Sequence, residues 1–271
     1  TCDVDAGRQF VPWRRIGLPA LEIDVRQLEL ADIDGDGKLD AFYPDPVRYL
    51  LWWGDGAGSF ERDDLPSDLE SLPEDRTRKL VVLADANADG RQDIVSAGTG
   101  EGAMLLVRFA LPDRRFAEPI EVPWPVAFQG RSPTLIDLRA ANFTDQARGF
   151  EIVAIIEMTG AYFAQLTAID DAGIPSLGRR LRLDTQEPLT GIRVSIGDLD
   201  GNGLADLLVD RRGRDPDAVV FWNEDGLRFT ESLFRDRTIL APTVFVDLDA
   251  DGNLDVLRRN AWINQGDRGF L

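Results

Sequence analysis

Four stretches of this chain follow one nine-residue pattern, D-x-[DN]-x-[DN]-G-x-x-D: DIDGDGKLD at 32–40, DANADGRQD at 85–93, DLDGNGLAD at 198–206 and DLDADGNLD at 247–255. A motif recurring at a regular interval restricts the fold to architectures that repeat one small unit. The second and third copies start 113 residues apart, about twice the other two intervals, so a fifth unit belongs between them. The segment LIDLRAANFTDQARGFEIVAII at 135–156 fits that place in degenerate form. We align its loop to 137–151, with Asp137 first and Arg139 third; acids return only at Asp145 and Glu151. No ion is expected there.

The surroundings repeat in step with the loops. A strand ends in LELAD-like text before each loop, and an apolar run such as Ala41 to Tyr43 or Leu207 to Asp210 follows it. Next come LLWWGDGAGSF at 50–60, VVFWNEDGLRF at 219–229, AWINQGDRGF at 261–270 and, more weakly, LLVRFALPDRRF at 105–116. Each reads as a strand, a polar turn and a Phe that opens a fourth strand. Four short antiparallel strands per roughly 50 residues make a propeller blade. The expected fold is therefore all-β: one β-propeller domain over 1–271, with five four-stranded blades and a tail at 1–7. RQFVPWRRIGLP at 8–19 resembles the fourth-strand segments, whereas the last unit stops where its own fourth strand begins. An N-terminal strand completing the last blade would close the ring and remove two sheet edges. A fragment of a seven-bladed propeller is the alternative.

Composition narrows the chemistry. A formal charge of −18 opposes binding to nucleic acid, which calls for a clustered basic face. The chain has no histidine, which removes Ser-His-Asp and Cys-His catalysis and the common zinc sites. No run of about 18 apolar residues is present to span a bilayer as a helix. The single cysteine, Cys2, can form no internal disulfide; it is either the lipidated residue of a bacterial lipoprotein or a residue without that role.

The loops hold hard oxygen donors at positions 1, 3, 5 and 9, a backbone carbonyl at 7 and a turn-making glycine at 6. Calcium accepts six to eight oxygens at flexible angles, whereas magnesium demands a tighter octahedron. The ligands expected are Asp32, Asp34, Asp36, the carbonyl of Lys38 and Asp40 in the first loop. In the second they are Asp85, Asn87, Asp89, the carbonyl of Arg91 and Asp93. The third offers Asp198, Asp200, Asn202, the carbonyl of Leu204 and Asp206; the fourth offers Asp247, Asp249, Asp251, the carbonyl of Asn253 and Asp255. About four Ca2+ ions would move the formal charge from −18 to −10 and relieve the repulsion among fourteen aspartates. An EF-hand is excluded, because position 12 is Tyr43, Ser96, Val209 or Arg258 rather than a bidentate Glu, and no helical spacing flanks the loops. The competing reading is that Asp and Gly simply favour turns.

These four loops, with the turns GDGAGSF and NQGDRGF, resemble the FG-GAP/VCBS repeats found in the β-propeller of integrin α subunits and in many bacterial surface proteins. The resemblance covers the chain from about residue 8 onward. It implies a calcium-stabilised propeller, commonly extracellular and used for adhesion or ligand binding. Such propellers commonly have seven blades, against five counted in this chain.

Function is less sharply written. We expect a non-catalytic, monomeric interaction or adhesion module at the cell surface, outside the cell or in the periplasm, with an unidentified protein or carbohydrate partner. A lectin-like propeller is the alternative, and a polysaccharide lyase a more distant one. Candidate bases for an enzyme are Tyr43, Tyr49, Tyr162 and the Asp pairs at 63–64 and 170–171, none with a recognisable partner. Trp52, Trp53, Trp222 and Trp262 recur on the third strand and read as packing between blades, whereas Trp13 and Trp124 are freer to face outward. The arginines at 211–214 and 258–259 read as solvated counter-charges or a grip on an anion. The segment 139–150, where a calcium loop is lost, is a further candidate surface.

Overall fold

The computed structural model describes residues 28–45, 47–66, 79–98, 104–123, 134–144, 149–158, 160–169, 174–183, 192–211, 218–226, 228–234, 243–266 and 268–271. Cys2, the segment at 8–19, Trp13, Trp124, Asp145 and the pair at 170–171 lie outside the described residues.

The strands form five antiparallel sheets arranged in a ring, a five-bladed β-propeller. Blade 1 runs β1 (Glu29–Ala31), β2 (Asp40–Pro44), β3 (Arg48–Gly54) and β4 (Phe60–Pro66). Blade 2 is β5 (Lys79–Ala84), β6 (Asp93–Gly98), β7 (Met104–Arg108) and, after a small hairpin of β8 (Ala110–Leu111) and β9 (Arg115–Phe116), β10 (Ile120–Pro123). Blade 3 comprises β11 (Thr134–Ala141), β12 (Glu151–Met158), β13 (Ala161–Ile169) and β14 (Pro175–Arg182). Blade 4 comprises β15 (Ile192–Gly197), β16 (Asp206–Arg211), β17 (Ala218–Asn223) and β18 (Phe229–Phe234). Among the described residues, blade 5 shows three strands, β19 (Val244–Val246), β20 (Asp255–Leu257) and β21 (Ala261–Trp262). Beyond them, Asn264 forms an isolated bridge with Phe270, and Ile263 and Leu271 exchange backbone hydrogen bonds of 2.9 and 3.0 Å.

Side-chain alternation explains why these segments become middle strands of blades. In β3, Tyr49, Leu51 and Trp53 face blade 2 with Leu83, Ile94 and Leu106, while Leu50 and Trp52 cover the opposite face with Ala41 and Tyr43. Such strands are apolar on both faces and read as continuous hydrophobic runs. Equivalent layers fill the junctions of blades 2 and 3, 3 and 4, and 4 and 5. Trp52, Trp53 and Trp222 are fully buried, and Trp262 packs partly buried against the last layer, so these four tryptophans are core. Outer strand β4 is charged and largely exposed, which discourages pairing with other chains.

Two expectations are corrected here. Asp137 does not open the degenerate loop: it lies inside β11 beside a register shift, where it accepts hydrogen bonds from the Leu138 N–H and from Arg139. The eight-residue β11 runs on to Ala141, so the loop begins at Asn142 and ends at Glu151. Arg258 is no solvated counter-charge either. Its side chain is buried against Asp210 at 2.6 Å and stacks on Phe234, tying blade 5 to blade 4. Arg212 and Arg214 lie outside the described residues.

Candidate functional site

Each acidic loop joins the first two strands of its blade, and its alternating residues fold it locally. The first-position aspartate accepts the N–H of the sixth-position glycine: Asp32 from Gly37, Asp85 from Gly90, Asp198 from Gly203 and Asp247 from Gly252, at 2.9 to 3.0 Å. The third position accepts from the fifth and the fifth from the seventh, as in Asp34 with Asp36 and Asp36 with Lys38. These are Asx turns, so the turn preference of Asp and Asn is real and is used. It occupies only part of each carboxylate's capacity, because an ionised carboxylate has about four acceptor sites.

The remaining oxygens converge. Ligand atoms of Asp32, Asp34 and Asp36 lie within 4.8 Å of one another, as do those of Asp198, Asp200 and Asp206 and those of Asp247, Asp249 and Asp251. Oδ1 of Asp32 is buried without a hydrogen-bond partner among the described residues. A buried anionic oxygen left unpaired is costly, and a hard cation would satisfy it. The donor set therefore fits a calcium ion in these three loops. The second loop differs. Asn87 replaces a carboxylate there, and Asp89 is capped by Asn87 at 3.1 Å and Arg91 at 2.5 Å.

Ninth-position aspartates have a second task that the sequence pattern hides. Both oxygens of Asp40 take backbone N–H groups, from Ile33 at 2.9 Å and Gly54 at 2.7 Å. Asp93 holds Ala86 and Ala110, Asp206 holds Leu199 and Asn223, and Asp255 holds Leu248 and Asn264 in the same way. All four are buried, and each pins the loop to the turn after the third strand. Burial raises the pKa of Asp40, and pushes Asp93 and Asp206 up to about 7, outweighing their backbone donors. Only Asp206 also joins a converging triad, so Asp40 and Asp255 belong first to the scaffold.

Seventh-position side chains, named in the sequence only for their carbonyls, act as local counter-charges or plugs. Lys38 pairs with Asp36 at 2.7 Å, Arg91 with Asp89, and Asn253 donates to Asp251 at 2.8 Å, while Leu204 is buried. Neighbouring loops also touch around the ring. Gln92 N–H donates to the Ile33 carbonyl, Phe150 N–H to that of Asp85 and Ala205 N–H to that of Asn142. Gly149 is required for this contact, since a Cβ there would meet the Ala86 carbonyl oxygen at 2.4 Å.

These features define a β-propeller in which blades 1, 2, 4 and 5 carry acidic loops between their first two strands. Residues 32–96 match the model of the FG-GAP-like repeat, so blade 1 and the start of blade 2 form such a repeat. In fold, the chain is similar to a lectin from Agrocybe aegerita, whose structure is described as the basis of specific recognition of non-reducing terminal N-acetylglucosamine. That match has a TM-score of 0.64 and 19% identity, covering 91% of this chain and 65% of the lectin chain. No curated protein sequence matches the chain.

Proposed function

We propose that this protein is a calcium-pinned, non-catalytic β-propeller that binds carbohydrate outside the cytoplasm. The observation that carries the metal assignment is the convergence of three acidic side chains in each of three loops, one of them with an orphaned buried oxygen. Similarity in fold to a lectin supports carbohydrate ahead of a protein partner as the ligand. Among the described candidate catalytic groups, Tyr43, Tyr49 and Tyr162 are buried in the core, and Asp64 is paired with Arg48 and Arg62. Loops lacking a bidentate Glu suit the ~10⁻³ M calcium for which extracellular modules are tuned.

A glycan array probed with the calcium-loaded chain tests the reading, with a parallel melt in calcium and in excess chelator. Binding to a restricted set of glycans and a higher melting midpoint in calcium are expected. An array that stays silent with protein shown to be folded overturns the ligand assignment. An unchanged midpoint in chelator overturns the metal assignment.

A further inference from the structure

The turn between the third and fourth strands carries an arginine in two blades, Arg114 in blade 2 and Arg268 in blade 5. Each follows an Asp and stands two residues before a Phe, Phe116 or Phe270. Both hold positive φ angles, 60° and 64°, at a place where blade 1 uses Gly58. Such strain in a side-chain-bearing residue persists where the surroundings hold it. Both arginines reach back to the preceding blade. Arg114 Nε donates to Asp34 at 2.9 Å and its guanidinium lies over Trp53; Arg268 donates to Asp200 at 2.7 and 3.0 Å and lies over Trp222.

The outer edges of the two guanidinium groups differ. Nη1 and Nη2 of Arg268 donate to the two oxygens of Glu224 at 2.5 and 3.1 Å, a bidentate pair that occupies the outer edge of this guanidinium. In blade 1 the matching residue is Asp55, one methylene shorter and folded onto the N–H groups of Ala57 and Ser59 in its own turn. The ion pairs of Arg114 Nη2 with Asp36 and Nη1 with Glu61 are 3.7 and 3.8 Å long, too long for hydrogen bonds. A cleft of about 380 Å³ results, lined by Lys38, Trp53, Asp55, Ser59, Glu61 and Arg114 among others.

We infer that this cleft binds an acidic sugar unit, a hydroxylated carboxylate of the uronate class, whose carboxylate takes the place that Glu224 occupies beside Arg268. Arg114 supplies the fork for a carboxylate, and Lys38, whose ammonium is paired with Asp36, lines the same cleft. The Ser59 hydroxyl and the Glu61 carboxylate can accept from sugar hydroxyls, and the volume falls in the range of small-ligand sites. The assignment rests on the carbohydrate reading and names the ligand class within it.

Galacturonate, glucose and succinate are titrated separately into the full chain in calcium buffer, followed by calorimetry and by the indole signals in NMR. Galacturonate should bind with one equivalent and beat both controls. Arg114→Gln should weaken it at least about tenfold, the loss of a bidentate charged pair. Should that variant fail to fold, the double change Asp55→Glu with Glu61→Thr copies the Glu224 and Thr230 of blade 4 and should also abolish binding. Glu224→Ala should free the outer edge of Arg268 and raise the stoichiometry to two. Galacturonate binding that ignores Arg114→Gln and the double change overturns the inference, and succinate binding as tightly as galacturonate overturns its assignment to a sugar. A chain that binds neutral glycans on an array yet ignores galacturonate overturns this cleft and spares the carbohydrate reading; silence towards every glycan overturns both.

Discussion

The turn opening blade 1 and the turn opening blade 3 hold one matching backbone N–H, that of the second loop residue, with different chemistry. In blade 1, Asp40 takes the N–H of Ile33. In blade 3, Glu151 takes the N–H of Phe143 at 2.8 Å and accepts a short hydrogen bond from the Thr144 hydroxyl. Both carboxylates are buried. Blade 1 adds the alternating Asp32, Asp34 and Asp36, whereas the described part of the blade 3 loop offers Asn142, Phe143 and Thr144 at the matching first three places. The loop thus contains two separable devices: a buried carboxylate that clamps the turn, and an alternating set of oxygens suited to a cation. Among the described residues, blade 3 keeps the first and shows no copy of the second.

The comparison is most easily broken at Glu151. If it is a clamp, Glu151→Ala leaves a buried N–H unpaired and costs about 2–4 kcal/mol. The loss should be the same in calcium and in chelator when measured by urea denaturation. Asp206→Ala should cost as much in chelator and more in calcium, because Asp206 serves both devices. A Glu151 variant as stable as the parent would show that the clamp contributes nothing.

The clamp also explains where the sequence was legible and where it was not. Four intact copies with the same flanking strands announced the blades and the apolar third strands. The blade 3 loop was misplaced by five residues because Asp137 mimics a first position in text, while only hydrogen bonding tells a strand aspartate from a loop aspartate. Glu151 gave a usable signal: an acid opening an apolar run, as Asp40, Asp93, Asp206 and Asp255 do. The arginine contacts across blades were illegible, since Arg114 and Asp34 are 80 positions apart and meet only when the ring forms. Even so, the shared D-R-x-F of DRRF and DRGF marked both arginines.

A pH series sharpens the same distinction. Asp93 and Asp206 have folded pKa values near 7, against about 3.9 for an unperturbed aspartate, so the folded chain holds protons that the unfolded chain releases. Their contribution is fully present below pH 4 and is lost as pH rises through 7. In chelator, the melting midpoint should therefore fall between pH 5 and 8. Carboxylates held low, such as Glu224 at about 2 beside Arg268, act with the opposite sign but only at lower pH. Calcium favours the ionised loops and should reduce or reverse the fall. A midpoint in chelator that climbs steadily from pH 5 to 8 would refute the role given to these buried acids.

Asp32→Asn probes the second device alone. The amide retains one oxygen for Gly37 N–H and loses the anionic oxygen that stands orphaned in the parent. Stability in chelator should hardly change, while the gain from calcium should drop by about 1–2 kcal/mol, the order of one site at tens of times its Kd. Equal losses in both buffers would mean that Asp32 only folds the turn.

The smallest effect is expected at the seventh position, where blade 1 has Lys38 on Asp36 and blade 4 has the buried Leu204. An exposed ammonium 2.7 Å from a ligand carboxylate competes with a cation for the same oxygens, though solvent and salt screen it. Lys38→Ala should therefore raise calcium affinity at the first loop by about twofold, the scale of an exposed ion pair. Competition against a chromophoric chelator at low ionic strength can read that change, which should shrink as salt is added. A fall in affinity would mean that the Lys38 side chain shapes the loop for the ion instead of competing with it, and the contrast with Leu204 would then be one of packing.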